Sequence, residues 1–110
     1  MKVESFARGN AAVVMISGRL TEDVASQFED VCRESLAEGL KKLVVNVAEL
    51  EYISSLGLRS LVRIAQAAQK AGGAMILCGV KGLVKEVLDM THLTQFFPMF
   101  ESVDAALAVL

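Results

Sequence analysis

Lys42-Leu43-Val44-Val45-Asn46-Val47-Ala48 is apolar at nearly every position after the first, and three of its seven residues are valine. So short and uniform an apolar run reads as a central strand covered on both faces. A loop, Glu49 to Ile53, follows it. From Leu56 to Ala71 the period becomes helical. Leu58, Leu61, Val62, Ala65 and Ala68 form one stripe, and Arg59, Arg63, Gln66 and Lys70 form the opposite one. Gly72-Gly73 stops that helix. Ala74-Met75-Ile76-Leu77-Cys78 is a second apolar strand, closed by Gly79. A strand–helix–strand unit implies a right-handed crossover between parallel strands.

Working outward, Val3 to Ala7 reads as a short edge strand and Arg8-Gly9-Asn10 as a turn. Ala11 to Ser17 reads as a strand close enough to pair with the first as a hairpin, with a turn at Gly18. Thr21 is placed as an N-cap, with Glu22 and Asp23 in the first turn of a helix over 22–38. Val24, Phe28, Val31 and Ser35 line its inner face, with Ala25, Cys32 and Leu36 beside them. On the other side, Gly82 to Met90 is a short helix with Leu83, Val84, Val87 and Leu88 inward. Phe96, Phe97, Met99 and Phe100 surround Pro98 and suggest a last strand, at a sheet edge because proline lacks a ladder donor. Ser102 caps a final helix through Val109, with Val103, Ala106, Leu107 and Leu110 packing inward. The expectation is an α/β fold: a small mixed sheet of four to five strands, with about four helices mainly on one face.

At 110 residues, 54% hydrophobic and 22% charged, the chain is long enough to bury a core without metal or disulfides, and it reads as one domain over 1–110. The net charge of −2 and the absence of a basic block give no support to direct nucleic-acid binding. Cys32 and Cys78 have neither zinc-ligand nor redox-motif spacing and read as buried thiols. The first residues lack the apolar core of a signal peptide, and no run approaches the length of a membrane span. A cytoplasmic location with reduced cysteines is expected.

The chemistry gathers at Glu51-Tyr52-Ile53-Ser54-Ser55-Leu56-Gly57-Leu58-Arg59. The segment follows a central strand and opens a helix, where functional loops of parallel sheets lie. Either serine is placed to cap the helix, and spacing does not choose between them. Phosphate on the neighbouring hydroxyl would meet free N–H groups and the positive end of the helix dipole. Arg59 and Arg63, one turn apart on the outer face, are placed to meet an acidic partner, and Glu49 and Glu51 to steer a basic one. His92 is the sole histidine and reads as a surface or capping residue. Without a nucleophile elbow, a P-loop or a dinucleotide glycine pattern, no catalytic set and no cofactor are expected.

Gly18-Arg19-Leu20-Thr21, the strand Leu43 to Val47, the segment Tyr52 to Arg59, Gly72 to Gly79 and the tail Phe96 to Leu110 together resemble the anti-sigma factor antagonist, or STAS, domains of bacteria. The resemblance spans nearly the whole chain. It implies partner switching: the unphosphorylated domain binds an anti-sigma factor that is also a serine kinase. Phosphorylation releases it, and a metal-dependent serine phosphatase reverses the mark. It puts the phosphoacceptor at Ser55 and the partner-binding surface at Ser54, Leu56, Gly57, Arg59, Arg63, Glu51 and Thr21. Weak self-association is left open. Ser54, Asn46 and Thr21 stand where the family commonly has aspartate, and Leu56 stands where it has a small residue. The alternative is a STAS binding subunit of a stress-sensing or lipid-transport assembly that is not phosphorylated.

Overall fold

The valine-rich segment is the middle of a sheet. The computed structural model describes residues 2–109. Its elements run β1 (Val3–Arg8), β2 (Ala11–Ile16), β3 (Gly18–Leu20), α1 (Glu22–Ala37), β4 (Lys42–Asn46), β5 (Leu50–Ile53), α2 (Ser55–Lys70), β6 (Ala74–Cys78), α3 (Gly82–Met90), β7 (Met99–Phe100) and α4 (Val103–Leu107). The main sheet has the order β1-β2-β4-β6-β7. β1 and β2 form an antiparallel hairpin, and every later pairing in that sheet is parallel.

Alternation along the strands divides the interior in two. Ala12, Val14, Leu43, Val45, Met75 and Leu77 face one way, against Phe28 and Cys32 of α1 and Leu61, Ile64 and Ala68 of α2. Val84 and Leu88 of α3 join the same core. Ala11, Val13, Val44, Ile76 and Cys78 face the other way, where Ala106 of α4 covers them. Three helices therefore lie on one face and the short α4 on the other. Both cysteines are buried free thiols. Burial, then the nearby Glu29 carboxylate, pushes the Cys32 thiol up to about 12.

Two strands go beyond the sequence expectation. Gly18–Leu20, read as a turn, and Leu50–Ile53, read as a loop, pair in parallel as a separate small sheet. Gly18 has φ +78°, a conformation that side chains with a Cβ rarely adopt, and the chain leaves the main sheet there. Three residues of strand carry too little periodicity to be read without their partner. Leu83, expected inward, is 46% exposed. The final helix stops at Leu107 rather than Val109, and Leu110 lies outside the described residues. Asn46, the one amide in the central strand, accepts the Ala48 N–H at 3.0 Å and so bends the chain out of β4.

Candidate functional site

The small sheet positions two helix starts. Leu20 and Ile53 are register partners in parallel strands, so Thr21 and Ser54, the next residues, emerge side by side. Each is the N-cap of the helix that follows, α1 or α2. Ser54 is fully engaged. Its N–H and Oγ both donate to the Leu20 carbonyl, at 3.0 and 3.1 Å. The same Oγ accepts the Gly57 N–H at 3.0 Å. Thr21 makes no side-chain cap hydrogen bond.

Ser55 is the first residue of α2 and is exposed, and its hydroxyl has no partner among the described hydrogen bonds. The first turn of α2 holds no acidic side chain, so the free N–H groups of that turn face no competing carboxylate on their own helix. Leu56 beside it is 41% exposed, an apolar side chain presented to solvent. Gly57 is buried for a steric reason. A Cβ there would stand 2.5 Å from the Leu20 carbonyl oxygen and 2.8 Å from Leu20 Cγ. Only a glycine lets α2 start this close to β3. Glu51 is exposed on β5, and Arg59 is exposed one turn beyond Ser55.

Arg63 is not a free cation. Its Nη2 bonds the Glu29 carboxylate on α1 at 2.7 Å, and Arg33 approaches the same group at 3.5 Å. Ser60 Oγ, itself buried, donates to Glu29 at 2.5 Å. Burial pushes the Glu29 carboxyl up. The Ser60 hydrogen bond, the Arg63 guanidinium and Arg33 outweigh it and leave the group below its usual range. A groove of about 290 Å³ runs between α1 and α2 beside Leu56, with Glu22, Asp30 and this cluster in its walls. The sequence reading missed Glu29 and Ser60. Ser60 had a signal, since it lies three residues after Gly57 and four before Ile64, on the buried stripe. Glu29 had none, because its partners come from another helix.

Beneath the site, the Arg19 guanidinium stacks 4.1 Å from the centre of the Tyr52 ring, joining the two strands of the small sheet. Among the described residues no group of three or more His, Cys, Asp or Glu side chains could hold a metal ion. His92 is exposed in the turn after α3, with φ 61°. No described helix is long and apolar enough to cross a membrane.

Ser55 thus presents an exposed hydroxyl at a helix start, beside the exposed Leu56 and the close approach of Gly57 to Leu20. The chain belongs to the STAS domain family, whose model matches residues 3–106. It is 29% identical over 96 residues to the "Putative anti-sigma factor antagonist BtrV" of Bordetella bronchiseptica, covering 87% of this chain and 83% of that protein. The crystal structure of an anti-sigma factor antagonist from Mycobacterium paratuberculosis superposes with a TM-score of 0.84, at 21% identity over 97% of this chain and 91% of that one. The anti-sigma factor antagonist SpoIIAA in its unphosphorylated form superposes with a TM-score of 0.82, at 16% identity over 97% and 95% of the two chains. The Bacillus SpoIIAA in its phosphorylated form gives 0.77, at 14% identity over 98% and 99%.

Proposed function

We propose that this STAS domain is an anti-sigma factor antagonist that works by phosphorylation-controlled partner switching, with Ser55 as the acceptor. The observation that carries the reading is the division of labour between the two serines: Ser54 is committed to the cap and Ser55 is exposed with its hydroxyl unengaged. The similarity to a relative named as an anti-sigma factor antagonist supports it. The unphosphorylated surface around Thr21, Glu51, Ser54, Leu56, Gly57, Arg59 and Arg63 binds an anti-sigma factor that is also a serine kinase. Leu56 supplies apolar contact. Arg59 and Glu51 supply charges of both signs. Arg63 acts through the shape of the α1–α2 groove, since Glu29 holds it.

The kinase transfers the γ-phosphoryl of ATP to Ser55 Oγ, releasing ADP and the hydroxyl proton. The product adds about −1.5 to −2 charges at the first turn of α2. Backbone N–H groups and the helix dipole stabilise it there, so the segment stays folded while the docking surface turns anionic. The apolar contact at Leu56 is then lost next to a hydrated dianion, and the partner leaves. Hydrolysis by a metal-dependent serine phosphatase returns the hydroxyl and free phosphate. The domain itself carries out no chemistry and needs no cofactor, and its work is done in the cytoplasm.

The test is intact mass and site mapping of the protein purified from its native cells with phosphatases inhibited, followed by affinity measurement with the copurifying kinase. Phosphate on Ser55, with binding kept by Ser55→Ala and weakened by Ser55→Asp, is the expected result. An unmodified peptide under every growth condition, with binding that ignores Ser55→Asp, would instead assign the chain to a stress-sensing or lipid-transport assembly as a constitutive binding subunit.

A further inference from the structure

The edge strand β1 carries a pattern that the site at α2 does not use. β1 ends the main sheet, and every residue from Glu4 to Arg8 is exposed. Its pairing with β2 fixes which of its backbone groups are free. Ser17 N–H donates to the Lys2 carbonyl at 2.9 Å, in the register that pairs Val3 with Ile16. Antiparallel strands alternate, so Lys2, Glu4, Phe6 and Arg8 turn their main-chain groups toward β2. Val3, Ser5 and Ala7 turn theirs outward. Glu4, Phe6 and Arg8 share one face of the sheet, where they border an open groove of about 350 Å³ floored by Val13 and Met15. Phe6 is 51% exposed, with the Arg8 guanidinium 5.5 Å from its ring centre.

We propose that β1 is a self-association edge, pairing antiparallel with β1 of a second copy about a two-fold axis through Phe6. In that register Ser5 of one copy and Ala7 of the other exchange both hydrogen bonds, which uses the outward groups that β2 leaves free. Phe6 faces Phe6 across the axis at a closely spaced position. Glu4 faces Arg8 of the second copy, and by symmetry Arg8 faces its Glu4. Shifting the register to put Ser5 opposite Ser5 sets Phe6 against Glu4. Putting Ala7 opposite Ala7 leaves Glu4 without its arginine. The charge pattern therefore selects one register and a second copy of this chain as occupant. Like charges at the two ends would repel an antiparallel copy, whereas Glu4 and Arg8 attract one. The contact is a strand and one aromatic pair, smaller than a standard stable interface, so the dimer is a weak one.

Sedimentation equilibrium of the full chain from about 10 µM to about 1 mM should show a reversible monomer–dimer equilibrium. Glu4→Arg and Arg8→Glu should each weaken it about tenfold, since each turns two attractions into two repulsions. The double reversal should restore it to within about threefold. Ser5→Pro removes an N–H that β2 does not use, and should abolish dimerisation while leaving the circular dichroism spectrum unchanged. A chain that stays monomeric at the top concentration, or a dimer indifferent to the charge reversals and to Ser5→Pro, overturns the proposal. Phosphorylation of Ser55 is read separately by mass, so either result leaves the switching function to its own test.

Discussion

Ser54 and Ser55 have the same side chain on adjacent residues, and the fold gives them unrelated work. The Ser54 hydroxyl joins the first turn of α2 to the end of β3 through Gly57 N–H and the Leu20 carbonyl. The Ser55 hydroxyl has no partner among the described hydrogen bonds. Stability should separate them cleanly. Ser54→Ala is expected to cost about 1–2 kcal/mol, a cap together with a link between elements. That corresponds to a fall of roughly 5–10 °C in Tm, read by thermal circular dichroism. Ser55→Ala should stay within about 0.5 kcal/mol of the parent. Equal effects would contradict the assignment of the cap to Ser54. Gly57→Ala should be the more damaging neighbour, because its Cβ meets backbone oxygen rather than a side chain that can swing aside. A loss of about 2–3 kcal/mol in urea denaturation is expected, as α2 must back away from β3.

Between elements, one carboxylate adds a polar tie to the apolar packing of α1 with α2. Glu29 collects the Ser60 hydroxyl and two guanidinium groups where its side chain is only 17% exposed. Its pKa in the folded protein lies below the ordinary value for a glutamate, about 4.3 to 4.5. The folded state therefore holds fewer protons than the unfolded state between the lowered and the ordinary value. The contribution of Glu29 is full above about pH 4.5 and is lost as pH falls through the lowered folded value. Urea titrations at pH 3, 4, 5 and 6 should show stability rising with pH in the parent, and rising less steeply below about pH 4.5 in Glu29→Gln. The same variant should weaken binding at the adjacent groove even at pH 7, because Arg63 loses the anchor that sets its position. A pH profile identical to the parent would remove Glu29 from the account.

Over the whole molecule, the main sheet is a partition between a large core and a small one. Phe28 is fully buried on the large side, where strands from both halves of the chain meet α1. Phe28→Ala should cost about 3–5 kcal/mol, a large share of the roughly 5–15 kcal/mol that holds a domain of this size together. Chemical denaturation would read it as a shifted midpoint with an unchanged slope. The large core backs the platform that presents Ser55, so such a variant should also lose partner binding through its unfolded fraction. The small core under α4 leaves the β1 end of the opposite face open, which is why Phe6 and the groove beside it stay exposed.

Apolar patterning in the sequence determined the large elements. β2, β4 and β6 were legible as short uninterrupted apolar runs, and α1, α2 and α3 by a 3.6-residue repeat over enough positions to stand alone. The junction at Ser54-Ser55 was legible too, since a change of period with serines at the change marks a helix start. Tertiary structure alone decided the small sheet and the contacts at the site. β3 and β5 are strands only because each supplies the other's partners, and neither is long enough to show a period. The choice between the two serines depended on the Leu20 carbonyl, thirty-four residues away from Ser54 along the chain. The burial of Gly57 depended on the same residue. Arg63 looked like a free surface cation until the packing of α1 brought Glu29 against it. Local patterning encodes what a segment becomes, whereas hydrogen-bond partners and close approaches are set by which segments the fold brings together.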